Sequence, residues 1–155
     1  MVKQAPSKIF IVDDDISVRR SLTLLLTASG FLTEAYPSAE EFLESAACTG
    51  EGCILLDIFL TGKTGLDLQE EISIRFPCQP IIYISGQGDI PMSVRALKKG
   101  AINFLPKPFN DRILLDAVEE ALKKSSSLVQ IEAEHDRVQA LVNSLTQREY
   151  QVFRL

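Results

Sequence analysis

Between Lys8 and Lys124, short apolar runs alternate with stretches in which apolar residues recur every three or four positions. The runs are KIFIV, FLTEAY, CILLD, PIIYI and INFLP. Three of them are nearly continuous apolar, the pattern of strands covered on both faces. The stretches between them read as helices with visible punctuation. The first carries Val18, Leu22, Leu25 and Leu26 and closes at Gly30, a residue suited to a helix stop. The second opens on SAEE, where Ser38 and Glu41 have the spacing of a capping box. The third runs from about Gly65 to Phe76 and stops before Pro77; the fourth spans Pro91 to Lys99 and ends at Gly100; the fifth opens at Asn110 or Asp111.

Five strand–helix units in strict alternation predict an α/β fold, a doubly wound parallel sheet with helices on both faces. Five strands usually take the flavodoxin-like order 2-1-3-4-5, with the ligand crevice beyond the carboxyl ends of strands 1 and 3. That crevice is where acidic residues gather. Strand 1 runs into Asp13, Asp14 and Asp15, and strand 3 ends on Asp57.

Beyond Lys124 the pattern changes. After SSS, residues Leu128, Ile131, His135, Val138, Val142 and Leu145 are spaced 3, 4, 3, 4, 3, a coiled-coil-like stripe. Here His135 reads as an interface residue rather than a phosphorelay or metal site. A further helix is predicted from Thr146, which forms a capping box with Glu149, and Val152 and Leu155 begin its apolar face. Two turns of helix cannot bury enough to stand alone, so the chain reads as ending inside a following domain. The predicted organisation is 1–124, the α/β domain; 125–144, a helical linker; and 145–155, the start of a third unit.

Composition narrows the setting. The 155 residues carry a net charge of −5, which argues against a nucleic-acid surface within this stretch. Cys48, Cys53 and Cys78 match no metal-ligand spacing, and Cys53 opens an apolar run as a small buried hydrophobe. No apolar segment approaches the ~20 residues of a membrane span, and the start lacks a signal peptide's apolar middle. A cytoplasmic protein with no membrane partner is expected.

Asp13, Asp14 and Asp57 at one crevice repel one another unless a cation joins them. Hard oxygen donors with room for water favour Mg2+; Asp15 reads instead as a helix cap. Strand 4 ends in Ser85, followed by Gly86, and strand 5 ends in PKPF, presenting Lys107 between two prolines. A hydroxyl and an ammonium facing a metal-loaded carboxylate are what an incoming phosphoryl group requires.

The stretch CILLDIFLTGKTG, Cys53 to Gly65, admits three phosphate chemistries. Gly62, Lys63 and Thr64 match the end of a nucleotide-binding loop, but the first glycine's position holds Asp57, which would repel a phosphate. Asp57 and Thr61 resemble the haloacid-dehalogenase phosphatases, but Phe59 replaces the second aspartate, the general acid. The third pattern accounts for every strand end: Asp13-Asp14, Asp57, Ser85 and Lys107-Pro108 resemble the receiver (CheY-like) domain of two-component response regulators, over about Ile9 to Lys124. GDIPMSVRALKKGAINFLPKPF is similar to the FixJ subfamily. SLTQREYQVFRL resembles the opening helix of a LuxR-type helix-turn-helix domain, matching it at Leu145, Thr146, Arg148, Glu149, Val152 and Leu155.

The resemblance implies a phosphoacceptor switch rather than a metabolic enzyme, catalysing only its own phosphorylation and dephosphorylation. Asp57 would take a phosphoryl group from a sensor histidine kinase. Asp14, Asp57 and the Phe59 carbonyl would hold Mg2+, with Mn2+ as a substitute and Asp13 acting through water. Ser85, Gly86 and Lys107 would bind the phosphoryl oxygens, and the Lys107–Pro108 bond is expected to be cis. Ser85 and Phe104 would form the switch, and the face of the fourth helix, fifth strand and fifth helix would dimerise to control transcription, with DNA bound through a further C-terminal domain. A stand-alone receiver serving as adaptor or phosphorelay shuttle, and a Mg-dependent phosphatase, are the alternatives. The family usually carries Met-Pro where this chain has Leu60-Thr61. Without the proline the loop after Asp57 loses a backbone constraint.

Overall fold

The computed structural model describes residues 7–45, 50–60, 65–86 and 90–153, with side chains described as far as residue 146. Cys48, Thr61, Gly62, Lys63, Thr64 and Leu155 lie outside the described residues, as do the side chains of Arg148, Glu149 and Val152.

The elements alternate without exception: β1 (Lys8–Val12), α1 (Ile16–Ala28), β2 (Leu32–Tyr36), α2 (Ala39–Ser45), β3 (Gly52–Asp57), α3 (Gly65–Arg75), β4 (Ile81–Ser85), α4 (Ile90–Lys98), β5 (Asn103–Pro106) and α5 (Asp111–Phe153). The five strands form one parallel sheet in the order β2-β1-β3-β4-β5. Burial follows that order. β3 and β4 are buried at every residue and β1 at four of five, whereas the edge strands β2 and β5 are mixed. The continuous apolar runs are therefore the central strands.

Alternate residues of these strands feed two cores. Phe10, Val12, Ile54, Leu56 and Tyr83 pack with Phe42, Leu68, Ile72 and Ala96 from α2, α3 and α4. Ile9, Ile11, Cys53, Leu55, Ile82 and Ile84 pack with Leu22 and Leu26 of α1 and Leu114, Val118 and Ala121 of α5. Burial pushes the Cys53 thiol up to about 12, so it serves as a hydrophobe.

Local signals set the helix ends. Asp15 caps α1 by accepting from Ser17 N at 2.8 Å, and Ser38 Oγ accepts from Glu41 N at 3.1 Å. Asn110 Oδ1 accepts from Arg112 N at 2.7 Å, which fixes the start of α5. Gly30 and Gly100 take the left-handed conformation (φ 94° and 105°) where α1 and α4 stop.

The C-terminal helix departs from the sequence reading. No new helix begins at Thr146. α5 is continuous over 43 residues, and Thr146 Oγ1 donates back to Val142 O at 3.0 Å instead of capping. The segment 111–153 contains neither Gly nor Pro, so nothing in it stops the helix. SSS does not interrupt it either. Ser125 is fully buried, accepts from Gly52 N at 2.9 Å and donates to Cys78 O at 2.7 Å, joining α5 to the amino end of the sheet. Leu128 is half-buried, while Ile131, Val138, Val142 and Leu145 are exposed.

Candidate functional site

The carboxyl ends of β1, β3, β4 and β5 meet at one edge of the sheet. There, β1 delivers Asp13 and Asp14, and β3 ends on Asp57. Among the described residues these three aspartates are the group able to hold a metal, with carboxylate oxygens all within 4.8 Å of one another. Asp13 is fully buried, Asp57 is 7% exposed and Asp14 is exposed. The pairing of β4 with β5 sets Ser85 opposite Pro106, so the next residue, Lys107, reaches the same edge. Lys107 N donates to Ser85 O at 2.8 Å, and the Lys107–Pro108 peptide is cis.

Lys107 is the cation of the cluster. Its Nζ lies 2.9 Å from Asp13 Oδ2 and 3.4 Å from Asp57 Oδ2. Burial on its own lowers the lysine's pKa, but the Asp13 hydrogen bond and the two carboxylate charges outweigh it and the net shift is upward. Asp57 is shifted upward as well. Burial is the main cause and the Asp13 charge adds to it, against the lowering effects of Phe59 N–H and Lys107. One lysine does not balance the acidic cluster.

Backbone donors hold two of the carboxylates in place, and a guanidinium holds the Asp13 main chain. Asp57 Oδ1 accepts from Phe59 N at 3.0 Å, and Asp13 Oδ1 accepts from Asp15 N at 2.9 Å. Arg19 Nη1 donates to Asp13 O at 2.7 Å, tying α1 to the end of β1.

The sequence profile of the response regulator receiver domain matches residues 9–119. The chain belongs to that family. It is 43% identical over 147 residues to Nodulation protein W of Bradyrhizobium diazoefficiens, covering 95% of this chain and 65% of that one. It is 37% identical to the transcriptional regulatory protein FixJ of Azorhizobium caulinodans, covering 93% of this chain and 68% of that protein. Among solved structures, the response regulator StyR superposes with a TM-score of 0.85 at 44% identity over 97% of this chain and 76% of that one. Full-length FixJ from B. japonicum gives 0.73 at 33% identity over 89% of this chain and 68% of that one. The chain thus spans about two thirds of the length of these curated relatives. The receiver is a regulatory module, not a metabolic enzyme.

The residues singled out at the strand ends, Asp13, Asp14, Asp57, Ser85, Gly86 and Lys107, all lie at one edge of the sheet. Ser85 is buried and makes a polar contact, and the Lys107 side chain lies 3.9 Å from where a Cβ on Gly86 would be. Phe59 turns its ring outward, 42% exposed, and Leu60 is buried. Phe104 is half-buried, with its ring centroid 6.2 Å from that of Tyr83.

Three side chains near this edge were not singled out by the sequence: Arg19, which holds Asp13 O, and Tyr83 and Gln69, whose side chains meet at 2.8 Å. A tyrosine inside a buried run must find a partner for its hydroxyl, and Gln69 stands between Leu66 and Ile72 on the buried face of α3. Together those two signals point to a buried polar pair.

Gly65 closes the loop after Asp57 by donating N–H to Ile58 O at 2.9 Å. A Cβ there would lie 2.8 Å from Ile58 Cα, 2.9 Å from Asp57 O and 2.9 Å from Tyr83 Cε1. Two of these neighbours are backbone, so Gly65→Ala is expected to cost about 1–3 kcal/mol in chemical unfolding. Wild-type stability in that variant would show that the loop base shifts freely.

Proposed function

We infer that Asp57 accepts a phosphoryl group from the phosphohistidine of a sensor kinase, in a Mg2+-dependent reaction that switches the protein between two conformations. The observation carrying this reading is the convergence of Asp13, Asp14 and Asp57 on Lys107 at one sheet edge.

The donor set fits Mg2+: three carboxylates with their oxygens within 4.8 Å offer hard ligands and no nitrogen or sulfur. Asp14, Asp57 and the Phe59 carbonyl would hold the ion, with Asp13 reached through water and Mn2+ as a substitute. The ion's contribution, when bound, is to neutralise phosphoryl oxygens. Asp57 Oδ1 is occupied by Phe59 N–H, which leaves Oδ2, beside Lys107, to attack phosphorus. The new P–O bond replaces the P–N bond, and the departing imidazole keeps the electron pair and takes a proton. Lys107, Ser85 and Gly86 N–H then receive the phosphoryl oxygens.

Output follows from a population shift. Ser85 turns toward the phosphate, Phe104 turns inward, and the α4–β5–α5 face pairs with a second copy. Ile90, Val94 and Leu97, exposed along α4, supply apolar area for that pairing. Residues 1–124 form the receiver, 125–144 a linker whose stripe, His135 included, meets its counterpart in the dimer, and 145–155 open a LuxR-type DNA-binding domain that controls transcription in the cytoplasm. Among the described residues no helix is long and apolar enough to cross a membrane.

Acetyl phosphate with Mg2+ is expected to add the mass of one phosphoryl group (net HPO3), with acetate leaving, and hydroxylamine is expected to release it as it does an acyl phosphate. An unchanged mass would refute the phosphoacceptor reading.

A further inference from the structure

Tyr83 stands at the centre of a buried polar cluster that the phosphoryl chemistry does not use. It is fully buried in β4, two residues before Ser85, and Phe104 is its register partner on β5. Its phenol oxygen lies 2.8 Å from Gly65 O and 2.8 Å from Gln69 Oε1. Gln69, 2% exposed, in turn donates Nε2 to Ala96 O of α4 at 3.3 Å. Since Gly65 also closes the loop after Asp57, one line of contacts runs from that loop through Tyr83 and Gln69 to α4.

The line is one hydrogen short. A phenol carries a single proton, and both of its neighbours at 2.8 Å are acceptor oxygens. With the proton toward Gly65, Gln69 Oε1 faces a lone pair; with the proton toward Gln69, Gly65 O does. Turning the amide over lets Nε2 donate to the phenol but sets Oε1 against Ala96 O. Two of the three contacts can be made at once, never all three. A buried polar contact left without its proton costs about as much as a lost hydrogen bond. The cluster therefore has alternative arrangements rather than a single satisfied one, which is what an element needs to carry a displacement.

We propose that Tyr83 is a positioning residue for the Asp57 loop and relays that loop's position to α4, its hydroxyl serving Gly65 in one state and Gln69 in the other. The role given to the loop rests on the receiver reading; the relay's geometry does not. With the proton on Gly65, the phenol braces the far end of the loop whose near end carries Asp57 and Phe59. This brace stands in a chain that has Leu60-Thr61 in place of the family's Met-Pro. With the proton on Gln69, the phenol is tied through the amide to the α4 backbone. Phe104 lies against the ring, so the two states also differ at the β5 edge.

Two near-isosteric substitutions separate the relay from simple packing. Tyr83→Phe removes the hydroxyl, whereas Gln69→Met removes the competing acceptor and the tie to α4. Calorimetric titration of the full chain with Mg2+ is expected to show about threefold to tenfold weaker binding in Tyr83→Phe, the effect of one hydrogen bond. Gln69→Met, which leaves the phenol to Gly65 alone, is expected to bind as tightly as wild type or more tightly. Weaker binding in both variants, or unchanged binding in Tyr83→Phe, would overturn the relay. Hydrogen exchange of the metal-free protein gives a readout independent of the receiver chemistry. Exchange at Ala101, whose N–H is held by Ala96 O at 3.1 Å, should change in both variants, rising most in Gln69→Met, which loses the tie itself. If wild type binds no Mg2+, the receiver reading fails and the exchange pattern alone decides: exchange at Ala101 in Tyr83→Phe equal to that of wild type overturns the relay.

Discussion

Lys107→Met is expected to destabilise the metal-free protein by about 2–3 kcal/mol, less than the ~3–5 kcal/mol of a fully buried ion pair because the lysine side chain is 22% exposed. Asp13 is fully buried and Asp57 nearly so, and Lys107 Nζ touches both, at 2.9 and 3.4 Å. Methionine keeps most of the side chain's volume, so the loss isolates charge from packing. The two carboxylates left behind repel each other at close range in a low-dielectric site, and neither can turn to water without breaking its backbone bond. Added Mg2+ should raise the stability of the variant, since a ligand at 100 times its dissociation constant contributes about 2.7 kcal/mol. Urea unfolding with EDTA and with Mg2+ measures both quantities. A metal-free loss below about 1 kcal/mol would class the contact with ordinary surface pairs.

Asp57→Asn should lose phosphoryl uptake completely, since an amide oxygen neither attacks phosphorus usefully nor bears the charge of the acceptor. The same variant should be more stable than wild type when metal-free at neutral pH. Burial, reinforced by the Asp13 charge, raises the Asp57 pKa against the Phe59 N–H and Lys107. The folded protein thus holds this proton more tightly than the unfolded chain does. The protonated group favours folding below the unfolded value of about 3.9, and that contribution is lost as pH rises through the folded pKa. Above it, the ionised carboxylate is a net cost that asparagine avoids. Melting curves in EDTA should therefore show the variant ahead near pH 7 and the gap closing toward about pH 4. A variant no more stable than wild type at pH 7 would mean that Lys107 already compensates Asp57 fully.

The sheet order and the acidic edge were legible because both depend on patterns that tertiary contacts rarely override. Continuous apolar runs marked the central strands β1, β3 and β4, and the carboxyl ends of parallel strands converge by geometry alone. The C-terminal region was misread at Thr146, where the capping-box spacing was satisfied but the preceding residues carry no helix stop. Capping residues mark a start only where a helix has ended, and α5 had not ended. Ser125 was passed over for a related reason. A serine in SSS looks solvated, and only the fold brings Gly52 N and Cys78 O to its hydroxyl, 73 and 47 residues away in sequence.

That serine, with Glu132 further along α5 accepting from Cys78 Sγ at 2.6 Å, holds the near end of a lever. α5 continues for 28 residues beyond Ser125, or about 42 Å at 1.5 Å per residue, with no glycine or proline to bend it. Over such an arm, a tilt of only about 10° at the sheet displaces the far end by roughly 7 Å. Any tilt of α5 at the sheet therefore reaches the far end without a flexible joint, enlarged by the length of the helix alone.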